Sequence, residues 1–135
     1  MAYWLVKQEP ETYPFSRFME DKSTIWDGIR NYQARNFLKE MALKDEVLYY
    51  HSGGEKAVAG LAEVAETAFP EPGEAEGTWF AVKLKAIRPF KKPVTLAMVR
   101  ADSILVETYL VRQTRLSVSP LTREQFDRFL ELEKQ

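Results

Sequence analysis

The chain has 135 residues, 45% hydrophobic and 29% charged, which is the balance of an ordinary soluble globular protein and enough chain for one core. It has no cysteine and a single histidine, which excludes disulfides, thiolate metal sites, iron–sulfur clusters and a Cys nucleophile, and denies a His-based zinc site its partners. The net charge of −1 argues against a broad phosphate-gripping surface but allows a compact site for one or two nucleotides.

The charge is uneven. Residues 55–77 are rich in Glu, whereas residues 78–100 carry Lys and Arg and no acid. This is a local basic stripe or, equally, two oppositely charged solvated surfaces. Eight Phe, six Tyr and three Trp are more rings than so small a core needs, so some are expected to line a site. No apolar run approaches the ~20 residues of a membrane helix, and the N-terminal stretch is too short for a signal peptide. The expectation is a cytoplasmic, monomeric single domain over residues 1–135 that makes no membrane contact.

In chain order, residues 2–7 are apolar and β-prone and predict a first strand, ended by Glu9-Pro10. Phe15, Phe18 and Met19 predict a short helix, and residues 23–26 a brief strand stopped by Asp27-Gly28. Asn31 caps a predicted helix running to about Leu43, with Ala34, Phe37, Leu38 and Met41 as its apolar stripe. Residues 46–51 form a strand, 52–55 a turn, and 57–69 a long strand bent at Gly60. Residues 69–77 read as an exposed acidic loop between strands. Residues 78–88 alternate as a strand, with Phe80, Val82, Leu84 and Ala86 on one face. Thr95 caps a short helix, and residues 116–118 are a late strand. Thr122 and Gln125 form a capping box at the start of the last helix, with Leu121 and Phe126 as its hydrophobic staple. The order predicts an α+β fold whose mainly antiparallel sheet curls into a small barrel flanked by helices.

Four stretches carry candidate chemistry. The first, residues 25–36, sets Trp26, Asp27, Arg30 and Asn31 beside a glycine turn. An indole offers a face for base stacking, worth ~1–3 kcal/mol per base. Asp accepts from an exocyclic amine, Asn reads a base edge, and Arg pairs with phosphate. On the residues alone, it is as good a reading that Asp27 and Asn31 only make turns and caps and that Trp26 is core. The second, residues 49–55, holds His51 and Ser52 at a strand end. Tyr49 and His51 share one face and Tyr50 and Ser52 the other, and one pair is expected to face inward. The third, residues 110–118, is read as extended, with Arg115 on the face of Gln113 and away from Arg112. These residues are candidates for phosphate contact or pocket closure. The fourth is Lys7-Gln8 at the end of the first strand.

Asp27, Glu9 and His51 supply the groups of an acid–base set, so a small enzyme acting on a nucleotide or nucleic acid, with Asp27 or His51 as base, is the leading alternative. There is, however, no nucleophile-elbow serine, no P-loop, no dinucleotide-binding glycine pattern and no metal-ligand cluster, so the expectation is no catalysis, no metal and no cofactor. A peptide-binding interaction module is a third reading.

Read together, YWLVKQEP (residues 3–10), WDGIRNYQARN (26–36), Tyr50-His51-Ser52, VAGLAEV (58–64) and LVRQTRLSV (110–118) resemble the EVE domain family over nearly the whole chain. The resemblance implies a PUA-like bent β-barrel and a pocket for a modified base, chiefly methylated or oxidised cytosine in DNA, with RNA as the other ligand class. The aromatic and polar clusters together with the resemblance give an expected base-binding set of Trp26, Asp27, Asn31, Lys7, Gln8, His51 and Ser52, and an expected phosphate or closing set of Arg30, Arg112, Gln113 and Arg115. Gln8 stands where Ser is common in the family. A more distant similarity to YTH domains sets Trp26 at one wall of their aromatic cage. The turn at residues 52–55 has no aromatic residue for another wall, so one-sided stacking on an exposed Trp26 is expected.

Overall fold

The structure is a computed structural model that describes residues 1–73 and 77–135. Glu74, Ala75 and Glu76 of the expected acidic loop lie outside the described residues. The elements run β1 (Tyr3–Gln8), α1 (Phe15–Asp21), β2 (Ser23–Trp26), α2 (Tyr32–Glu40), β3 (Glu46–His51), β4 (Ala57–Pro70), β5 (Phe80–Thr95), α3 (Leu96–Ala101), a 3-10 turn (Leu105–Glu107), α4 (Tyr109–Arg112), β6 (Val118–Leu121) and α5 (Arg123–Glu133).

The strands form one mixed sheet in the order β2-β5-β4-β3-β1-β6. Among the described residues only β1 and β3 pair in parallel, and the other ladders are antiparallel. The fold is α+β, as expected. The sheet is bent and not closed, since among the described residues no ladder joins the edge strands β2 and β6.

Strand side chains alternate between faces, and both faces of this sheet are covered. Trp4, Val6, Trp26 and Tyr49 pack with Phe15 and Phe18 of α1 and Ala34 and Leu38 of α2. Leu5, Leu48, Tyr50 and Val58 pack on the other side with Val99, Leu110, Phe126 and Phe129. Neither strand pair at residues 49–52 faces solvent outright, because Tyr49 and Tyr50 are both buried in opposite cores.

The expected bend at Gly60 is a register shift in the β3–β4 and β4–β5 ladders. The ring of Phe15 lies so close to Gly60 that an added Cβ would stand 2.3 Å from it. β5 runs on to Thr95 because residues 90–93 bulge out opposite Ala59, which spares Pro93 a ladder bond.

Three expectations are corrected. Helix α2 stops at Glu40, short of Leu43, because the buried Asp45 carboxylate takes the Ala42 N–H at 2.9 Å. That carboxylate also accepts from Trp4 Nε1 at 2.9 Å and Ala2 N at 3.1 Å. Residues 110–118 are not extended: the Thr108 carbonyl accepts from Val111 and Arg112, winding α4, and the strand begins at Val118. The acidic residues at the end of β4 are not all exposed, because Glu71 is buried.

The caps match the sequence reading. The Thr122 hydroxyl accepts from Gln125 N at 3.1 Å while the Gln125 amide oxygen accepts from Thr122 N at 3.0 Å. Part of the basic stripe on β5 stands beside acids. Lys85 stands opposite Glu63 and Lys83 opposite Glu66, and Arg88 makes a two-point pair with the buried Glu133 at 2.8 and 2.7 Å.

Candidate functional site

β2 delivers Trp26 to the end of the sheet opposite Val82. The indole is only 5% exposed and meets Tyr49 edge-on, with centroids 5.4 Å apart at 78°. The expected open stacking face is therefore corrected: most of the ring is core. The remainder opens on a cavity of about 210 Å³ lined by Gln8, Thr12, Tyr13, Thr24, Ile25, Trp26 and Asp27.

After Trp26 the chain reverses through Asp27 and Gly28, whose φ of +77° favours glycine. The turn is clasped by Glu71. Its carboxylate accepts from Gly28 N at 2.6 Å and from Arg30 Nη2 at 2.5 Å. The Arg30 bond is the main cause that holds the Glu71 carboxyl below the usual carboxylate range. The Arg30 guanidinium also lies over the Trp79 ring, 5.1 Å from its centroid. Asn31 caps α2, its Oδ1 accepting from Ala34 N at 2.9 Å. Arg30 and Asn31 therefore shape the turn, while Asp27 is exposed at the cavity rim.

Strand alternation parts the remaining candidates. Gln8 lies on the Trp26 side, whereas Lys7 and Ser52 lie on the Tyr50 side, in a second cavity of about 300 Å³. Lys7 Nζ donates to the Thr114 carbonyl at 2.8 Å, and burial lowers the pKa of its ammonium. His51 faces an apolar groove with Phe15, Met19 and Ala59. Its Nε2 accepts from Phe15 N at 3.1 Å, satisfying a free N–H at the start of α1, where Pro14 offers no side-chain cap. Burial pushes the His51 pKa down, which keeps that nitrogen an acceptor.

Arg112, Gln113 and Arg115 meet Asn31 and Gln33 around a third cavity of about 350 Å³. Arg112 pairs with Glu107, whereas Arg115 has no ion-pair partner among the described residues. Among the described residues no group of three or more His, Asp or Glu is placed to hold a metal, and no helix is long and apolar enough to cross a membrane.

The sequence reading missed Thr12, Tyr13, Thr24 and Glu71. Thr24 was within reach, since period two puts it on the Trp26 face. Tyr13 carries no local signal. The Tyr49 hydroxyl donates to its backbone carbonyl, and its own hydroxyl donates to Asp21 Oδ2 at 2.7 Å.

A family model described as the EVE domain matches residues 2–132. Human thymocyte nuclear protein 1 is 33% identical over 167 residues, covering 98% of this chain and 74% of that protein. The crystal structure of human THYN1 protein in complex with 5-methylcytosine containing DNA has a TM-score of 0.92 and 31% identity, over 100% of this chain and 99% of the solved one. The NMR structure of a Rhodopseudomonas palustris protein has a TM-score of 0.95 and 36% identity, over 99% and 94% of the two chains.

Proposed function

We propose that this chain, which belongs to the EVE domain family, holds a 5-modified cytosine flipped out of DNA in the cavity beside Trp26 and Asp27, and performs no reaction on it. The observation that carries the reading is a concave site that sets the exposed Asp27 carboxylate and the Gln8 amide around the open edge of an otherwise buried indole. A cytosine offers its N4 amine as donor, which suits Asp27, and an amide reads the neighbouring ring nitrogen and carbonyl. Ile25, Thr24 and the indole edge give a 5-methyl group apolar contact.

Flipping a base costs a few kcal/mol, least for one that is mispaired or already unpaired. Contact with Trp26 and Tyr13, together with a charge-assisted bond to Asp27 worth ~1.5–3 kcal/mol, offsets it. Arg115, with Arg112 and Gln113 beside it, contacts the phosphates of the strand. DNA is favoured over RNA because the solved human relative carries 5-methylcytosine DNA. Two features support a binding role over an enzyme: the His51 Nε2 lone pair is taken up by Phe15 N–H, and His51 and Asp27 line different cavities.

Fluorescence titration with oligonucleotides that differ only in one 5-methyl group tests the reading. Burying one methyl contributes about 0.8 kcal/mol, so the methylated strand should bind about fourfold more tightly. Negligible binding of both strands contradicts the proposal.

A further inference from the structure

The cavity on the Tyr50 face is separated by the sheet from the Trp26 cavity, and its lining has a chemistry of its own. Lys7, Lys56 and Arg100 converge on it, with Tyr50, Ser52 and Thr114, and no carboxylate is among the residues that line it. Lys56 and Arg100 are exposed and make no ion pair among the described residues. Lys7 spends one donor on the Thr114 carbonyl at 2.8 Å; an ammonium has three, so others are left for a ligand. Tyr50 is buried in the core on one side and lines the cavity on the other. Arg100 is near enough to this phenol to act on it electrostatically.

Cations without counter-charges, gathered with hydroxyl donors in a recess, favour an anion of more than one charge. The recess of about 300 Å³ is compact. A backbone phosphodiester brings one negative charge, whereas a terminal phosphate brings nearly two at neutral pH.

We propose that this recess is a second binding site, for the terminal phosphate of a phosphomonoester, held by Lys7, Lys56 and Arg100 with the Tyr50 and Ser52 hydroxyls. That phosphate belongs either to a small molecule or to the phosphorylated end of a nucleic-acid strand. The site shares none of the residues around Trp26, and meets the cavity of Arg112, Gln113 and Arg115 only at Thr114.

The test is a titration of the ¹⁵N-labelled chain with inorganic phosphate, with adenosine 5′-monophosphate, and with sodium chloride at matched ionic strength. Phosphate and the nucleotide should shift the amides of Ser52, Lys56, Arg100 and Thr114, and chloride should not. The double variant Lys56→Gln, Arg100→Gln removes two exposed charges and should bind phosphate at least about tenfold more weakly. A second arm compares 5′-phosphorylated with 5′-hydroxyl oligonucleotides. Tighter binding of the phosphorylated strand by the wild type alone assigns the site to strand ends. Equal binding of the two strands, with the phosphate shifts intact, assigns it to small phosphomonoesters. Shifts that are absent, scattered, matched by chloride or unchanged in the double variant overturn the proposal. The base-binding reading then stands untouched, since its own titration uses a different readout.

Discussion

Arg30 and Glu71 form a two-point ion pair across the turn that follows Trp26, with Nη2 at 2.5 Å from Oε2 and Nη1 at 3.3 Å from Oε1. The carboxylate side chain is 6% exposed and the guanidinium side chain 43%. The pair ties the end of β4 to the rim of the Trp26 cavity, and Gly28 N–H completes it.

Glu71→Gln should therefore destabilise the fold by about 1–2 kcal/mol, less than the ~3–5 kcal/mol of a fully buried pair, because water already reaches Arg30. The urea midpoint at neutral pH measures this. The Arg30 bond depresses the folded pKa of Glu71, so its contribution is complete above the ordinary value of 4.5 and fades as pH falls through the lower folded value. The wild type and the variant should converge in stability at acid pH, and a gap that stays constant with pH contradicts the assignment.

Gly60→Ala should cost about 1–3 kcal/mol, because the new methyl would overlap the Phe15 ring. Shrinking that ring tests the cause. In a double-mutant cycle, Phe15→Leu should cost less when combined with Gly60→Ala than alone, and strict additivity would show that the two sites do not meet.

His51 should titrate by NMR below its ordinary 6.5, because burial disfavours the imidazolium and Phe15 N–H occupies Nε2. A depressed folded pKa means that this contribution is full above 6.5 and is lost as pH falls from there through the folded value. His51→Ala should remove that acid-side slope and loosen the first turn of α1. A midpoint at or above 6.5 would show that the ring is not held as an acceptor.

Much of the fold is legible in the sequence because its signals are local. The Thr122–Gln125 box, the Asn31 cap and the period-two strands each follow from neighbours a few residues apart. The errors come from distant partners. Asp45 ends α2 through a side-chain bond, and Thr108 turns residues that alternate like a strand into α4. The candidate site is legible in kind but not in layout. A strand pattern places Lys7 and Gln8 on opposite faces, yet only the pairing of β1 with β3 shows that each face bounds a separate cavity. The residues around Trp26 allow a core ring as readily as a stacking platform, and the choice is made by residues distant in sequence, Tyr49 among them, that pack around the indole.

Because Trp26 is core, its replacement by Ala would cost about 3–5 kcal/mol of stability and confuse binding with folding. Asp27 is exposed and makes the cleaner probe. The most direct test measures the affinities of otherwise identical oligonucleotides with 5-methylcytosine or thymine at one position, for the wild type and for Asp27→Ala. Both bases carry the 5-methyl group, and only the cytosine offers an amine to the carboxylate. The wild type should prefer 5-methylcytosine by roughly 10–100-fold, and the variant should lose that preference while keeping its urea midpoint. Equal affinities for the two bases in the wild type, or an unchanged preference in the variant, would contradict a base seated beside Asp27.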